Sequence, residues 1–222
     1  MRWGSSSRSG RSLPGLAVMA GLLMAGGAQA RSVALQQGID VSHHQGRIDW
    51  QQLPRQGVTF AYIKASEGGS HRDRAFAANW AGAKAAGLQR GAYHYFTLCR
   101  AGADQAANFI AAVPVDSTAL APAVDLEFLG NCDRRPTPDA FHAELAAFLR
   151  AVEKHYGKPV LLYLTEEFDQ AYAVSARVDR RLWLRSLGKP PGFGARPWSL
   201  WQQSHSRKLN GIATPVDWNV AR

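Results

Sequence analysis

RLWLRSL (181–187), WSLWQQS (198–204) and PVDWN (215–219) are three strand-like runs with no helical pattern between them. The gaps separating them are short, rich in Gly, Pro and Lys, and lack the 3.6-residue period of an amphipathic helix. Upstream the rhythm differs. Strand candidates at 35–41, 59–65, 90–96, 120–128 and 159–165 each precede a helical segment. The helices are predicted around 48–55, at 74–86 (stopped by Gly87), at 104–113, from the Thr137 cap to Tyr156, and at 166–173. Five strand–helix units followed by three bare strands make eight strands, the count of a (β/α)8 barrel whose last helices are missing. The expected fold class is α/β, an irregular TIM-like (β/α)5β3 barrel forming a single domain. An open doubly wound sheet is the alternative, and the lack of helices near the C-terminus argues against it.

The N-terminal stretch reads as something other than fold. Arg2, Arg8 and Arg11 precede the apolar run LAVMAGLLMAGG beginning at Leu16, and Ala28-Gln29-Ala30 supplies a small-x-small cleavage pattern. Residues 1–30 are therefore expected to be a secretory signal peptide, with residues 31–222 as the functional domain. The apolar run is too short to span a bilayer, so no stable membrane insertion is expected. The formal charge of +9 loses three positives with that leader. A moderately basic exported protein suits anionic surfaces such as cell-wall polymers. The basic residues are scattered, with no basic helix or aromatic–basic motif, which argues against nucleic acid.

Chemistry that leaves a signature at fixed spacing is not evident. There is no CxxC, HExxH, GxSxG or phosphate-cradling glycine loop. His43 and His44, if on a strand, would face opposite ways and could not share a metal. Two cysteines, Cys99 and Cys132, fall a few residues past the third and fourth strands. In an exported chain one disulfide bracing those loops is expected, against the alternative of two free thiols.

The acids stand out. In LAPAVDLEF (120–128), Asp125 and Glu127 interrupt an apolar strand. Residues i and i+2 of a strand share a face about 6.5–7 Å apart, so Ala123, Asp125 and Glu127 would point one way and Val124, Leu126 and Phe128 the other. Burying two adjacent carboxylates is costly unless one holds its neighbour protonated near neutral pH, as a general acid requires. In a barrel, Asp40 at the end of the first strand and Asp217 in the last would join them around one mouth. Tyr62, Tyr93, Tyr95, Tyr163, Trp183, Trp201 and Trp218 lie on or beside the strands. Aromatic faces with nearby acids suit a carbohydrate, although aromatics at strand positions also serve as core filler.

The segments GIDVSHHQGRIDW, FAYIKASEG, RGAYHYF, AVDLEF, LLYLT, WSLWQQS and PVDWN, in this order, resemble the family 25 glycoside hydrolases, the Chalaropsis-type lysozymes or N-acetylmuramidases. The resemblance runs from Gly38 almost to the C-terminus. It implies a flattened barrel and cleavage of the β-1,4 bond between N-acetylmuramic acid and N-acetylglucosamine in peptidoglycan. It places the family's acidic set on Asp40, Asp125, Glu127 and Asp217, with no metal or organic cofactor. Glycan strands are then the expected partner and a monomer the expected state. Departures occur at Ser66, where the family's TEG reads SEG, at Arg185 and Leu187 of LWLRSL, and at Gln203 of WQQS. They bear on glycan preference more than on chemistry. No wall-binding repeat follows the last motif before Arg222. A non-catalytic wall-binding protein and a chitinase-like glycosidase are the competing readings.

Overall fold

The structure is a computed structural model that describes residues 1, 3, 4, 10 and 35–222. The expected leader lies outside the described residues apart from those first positions. The remainder forms strands β1 (Gln36–Val41), β2 (Phe60–Glu67), β3 (His71–Arg72), β4 (Gln89–Tyr95), β5 (Ala123–Leu126), β6 (Leu161–Leu164), β7 (Leu182–Arg185), β8 (Leu200–Arg207) and β9 (Val216–Ala221). The strand order is β1-β9-β8-β7-β6-β5-β4-β2-β3, and pairing of β1 with β2 closes the sheet. β3 hangs from the edge of β2 as a short hairpin strand, leaving an eight-stranded barrel. Among the described residues no helix is long and apolar enough to cross a membrane.

Closure follows the expected count, but one strand runs backwards. β9 is antiparallel to both β1 and β8, while the other barrel pairings are parallel. A parallel neighbour needs a crossover of a dozen or more residues, and the link 208–215 is too short for one. The consequence is functional. Asp217, near the start of β9, lies level with Asp40, near the end of β1.

Helices α1 (Phe76–Ala85), α2 (Gly102–Ala112), α3 (Pro138–Tyr156), α4 (Glu166–Tyr172) and α5 (Val174–Arg177) follow β3, β4, β5 and, as a pair, β6. The helix expected at 48–55 is instead two 3-10 turns, Trp50–Gln52 and Pro54–Gln56. Pro54 has no N–H to continue an α-helical ladder, and Leu53 N–H closes a tighter turn onto Trp50 O at 3.2 Å. α3 is the strongest local element. The Thr137 hydroxyl caps it by accepting from Ala140 N–H, and Gly157, left-handed at φ 66°, ends it. Phe141, Leu145, Phe148, Leu149 and Val152 bury one face, each contributing about 1.5–3 kcal/mol relative to exposure.

Period-2 alternation sorts the barrel side chains into two cores. Ala61, Ile63, Val124, Leu126, Leu182 and Leu184 face outward into the layer under the helices. Phe60, Tyr62, Ala123, Leu161, Tyr163, Trp183 and Leu200 fill the interior. The face assignment read from LAPAVDLEF holds: Ala123 is interior and Val124 and Leu126 exterior. Large rings fit the narrow interior only because strands beside them carry glycine. A Cβ on Gly91 would sit 2.3 Å from the Tyr62 ring, and one on Gly38 would sit 2.5 Å from Phe60. Gly91→Val should therefore destabilise the protein by at least about 1–3 kcal/mol, the usual cost of overpacking. A denaturant midpoint within error of the parent would contradict this account of the interior.

Candidate active site

The inward residues at the top of the strands line one open cavity of about 410 Å³. Its wall includes Asp40, Asp125, Glu127 and Asp217 together with Tyr93 and Tyr95. The four acids and two of the aromatics singled out from sequence thus meet at one mouth. Lys64, Glu67, Ser42, His44, Gln45, Leu129 and Gly130 also contribute. Lys64 was legible in principle, since it follows Phe60 and Tyr62 on the inward face of β2. It pairs with Glu67 at 2.7 Å.

Five of the aromatics singled out from sequence are not on that wall. Tyr62 and Trp183 pack into the barrel interior with ring centroids 4.9 Å apart, and Tyr163 meets Trp183 edge-on at 5.0 Å. Trp201 faces the outer core, packs against Trp198, and donates its indole N–H to Ser186 O. Trp218 is also in the outer core. These rings are filler, the ordinary fate of aromatics in strands. Tyr163 and Trp183 have a second task. Trp183 Nε1–H donates to Asn219 Oδ1 at 2.7 Å, and the Tyr163 hydroxyl donates to Gln202 Oε1 at 2.9 Å. An indole N–H can only donate, so it fixes the flip of the Asn219 amide. Both amides then turn their NH2 groups to Asp40 Oδ2, at 2.7 Å from Asn219 and 3.1 Å from Gln202.

Asp40 is held by this clamp on one oxygen and stands opposite Asp217 across the β1–β9 pairing. Burial, then the charge of Asp217, raises Asp40 well above the usual carboxylate range, and burial pushes Asp217 up to about 6 with the Asp40 hydrogen bond working against the rise. Asp40 is thus the member of the pair that favours its proton, and Asp217 the one that ionises more readily. Trp183→Phe, which removes the donor that sets the Asn219 flip, should move the acidic limb of the activity–pH profile. An unchanged profile would mean the amides orient Asp40 without the indole.

Across the mouth, burial and then the Glu127 charge raise Asp125 well above its ordinary value. Burial pushes Glu127 up to about 7, with the Arg185 charge pulling it down. Both acids therefore keep their protons to higher pH than free carboxyls do. Asp125 Oδ1 is buried and accepts no hydrogen bond among the described residues.

Other residues singled out from sequence lie around this mouth. Cys99 and Cys132 are not bridged in this structure. They do approach closely enough to hydrogen-bond, which raises the Cys99 thiol. His43 and His44 lie on a 3-10 turn rather than a strand, and their rings stack at 4.1 Å. Asp73, not singled out from sequence, accepts from His43 N at 2.9 Å and pairs with Nδ1 at 2.8 Å, holding that turn at the cavity edge. Ser66 and His94 make a 2.8 Å contact that resembles a nucleophile pair. Both are fully buried, and burial lowers His94 to about 4, so the pair is structural.

A closed barrel whose mouth combines a carboxylic acid titrating near neutrality with further carboxylates defines a glycoside hydrolase. The family model described as glycosyl hydrolases family 25 matches residues 39–212, and the chain belongs to that family, as a hydrolase of lysozyme type. It is 31% identical over 189 residues to YegX of Escherichia coli, covering 82% of this chain and 68% of that one. Lysozyme M1 of Streptomyces globisporus is 30% identical over 204 residues, covering 82% and 66%. A solved family 25 glycosyl hydrolase from Bacillus anthracis superimposes with a TM-score of 0.78 at 38% identity, covering 83% of this chain and 88% of its own.

Proposed function

We propose that this protein is a muramidase that cleaves the β-1,4 bond between N-acetylmuramic acid and N-acetylglucosamine in peptidoglycan. Glu127 acts as the general acid and Asp125 orients the substrate's 2-acetamido group. The observation carrying this assignment is the buried Asp125 Oδ1 without a donor, one strand step from Glu127. A buried carboxylate oxygen left unpaired costs about 1–3 kcal/mol or more, and a substrate amide N–H would remove that cost. Accepting that N–H stabilises charged Asp125, while Glu127, raised to about 7, keeps the proton that the leaving group needs. Glu127 then protonates the glycosidic oxygen as the C1–O bond breaks, while the acetamido oxygen bonds to C1. In the second half, water delivers its proton to Glu127 and its oxygen to C1, which reopens the ring with retained configuration. Asp217, charged beside protonated Asp40, offsets the positive charge developing at C1.

Support for peptidoglycan as the substrate comes from relatives named lysozyme M1, autolytic lysozyme and N,O-diacetylmuramidase. The leader read at residues 1–30 and the net positive charge that remains after its three arginines are removed fit an exported enzyme working on an anionic wall. The deciding experiment is digestion of purified peptidoglycan followed by mass analysis of the new reducing-end sugars. Muramic acid at those ends is the expected result. Reducing-end N-acetylglucosamine, cleavage of chitin oligomers alone, or binding without new ends would each overturn the assignment.

A further inference from the structure

Arg185 ends β7 on its inward side. In that strand Leu182 and Leu184 face the outer core and Trp183 the interior, so alternation directs Arg185 into the barrel mouth directly above Trp183. The registers place Leu126, Leu164 and Leu184 in one row. Arg185 and Glu127 are each the next residue along, at the same height and two strands apart. Arg185 is partly buried, yet makes no ion pair or side-chain hydrogen bond among the described residues. The cation on the cavity wall, Lys64, is already paired with Glu67.

A free guanidinium in this position works against the chemistry. It favours ionised Glu127, the wrong form for a general acid, and opposes the positive charge that develops at the anomeric carbon. A partly desolvated cation held next to such a centre needs an anion to offset it. None of the acids supplies it by contact.

We infer that Arg185 is a specificity-determining residue that binds a carboxylate carried by the muramyl side of the glycan. The inference rests on the muramidase reading. The guanidinium fork suits a planar carboxylate held by two parallel N–H···O bonds. Two substrate groups carry that chemistry: the lactyl carboxylate of strands stripped of peptide, and the carboxylates of the stem peptide where it is attached.

The test compares the parent protein with Arg185→Gln and Arg185→Lys on matched glycans. One pair is stripped strands with lactyl carboxylates free or converted to methylamides; the other is peptide-bearing strands with stem carboxylates free or amidated. Both kcat/KM and equilibrium binding are measured. The parent should prefer the free carboxylate by roughly tenfold in one pair, mostly through KM. Arg185→Gln should abolish that preference, and Arg185→Lys should keep part of it. The pair that shows the effect identifies the source. Equal effects of Arg185→Gln on charged and neutralised strands would overturn the inference. Charge-selective binding that depends on Arg185, with no turnover by any protein, would uphold the anion site and sink the muramidase reading.

Discussion

Glu127→Gln should lower peptidoglycan hydrolysis by about 10²–10⁴-fold and, at neutral pH, make the protein more stable. The first effect is the usual contribution of a positioned general acid. The second follows from linkage. Glu127 titrates near 7 in the fold against 4.5 for the model carboxyl, so between those values the native state binds more protons than the unfolded state. Stability is therefore lost as pH rises through this window, the reverse of a salt-bridged acid. The shift corresponds to at most about 3 kcal/mol, reduced by solvent at the exposed edge of the side chain. The melting-temperature advantage of the variant should be small near pH 4 and grow to a plateau above pH 7. An advantage independent of pH would place its origin in packing rather than in the buried charge. In the parent, hydrolysis should fall as pH rises through about 7, where Glu127 loses its proton. It should also fall below about 6 as Asp217 gains one.

Asp125→Ala should also reduce kcat, by about 10²–10³-fold, because it removes the group that aligns the acetamido nucleophile. A general base acting on water from the opposite face would give a loss of similar size. The distinction therefore comes from the product and the substrate. With the acetamido group as nucleophile, the parent releases the β-anomer first, and strands with the 2-acetamido groups converted to free amines resist cleavage. Initial release of the α-anomer, or normal cleavage of the deacetylated strands, would exclude neighbouring-group participation. The residual activity of Asp125→Ala should keep the β-anomer, since the variant weakens alignment without supplying another nucleophile.

Much of this site was legible from residue order. Side-chain alternation is a property of the local strand backbone, so Asp125 and Glu127 on one face, and Val124 and Leu126 on the other, needed no partner to be inferred. The eight-strand count was equally local, because it rests on where helical periodicity stops. The aromatics were harder. A ring at an inward position reads the same whether it lines the mouth or fills the barrel below it. Only the packing inside the closed barrel separates Tyr93 and Tyr95, on the cavity wall, from Tyr62, Tyr163 and Trp183, which pack against one another.

The sequence by itself determined the class of barrel and the shared face of Asp125 and Glu127, because each depends on periods a few residues long. Only the tertiary structure decided the reversal of β9, the placement of Asp217 opposite Asp40, the two-amide clamp on Asp40 and the position of Arg185 two strands from Glu127. Closure of the sheet brings β1 against β9. The clamp hydrogen bonds accordingly join residues 162 and 179 positions apart, and no local pattern encodes the partner of a group that far along the chain.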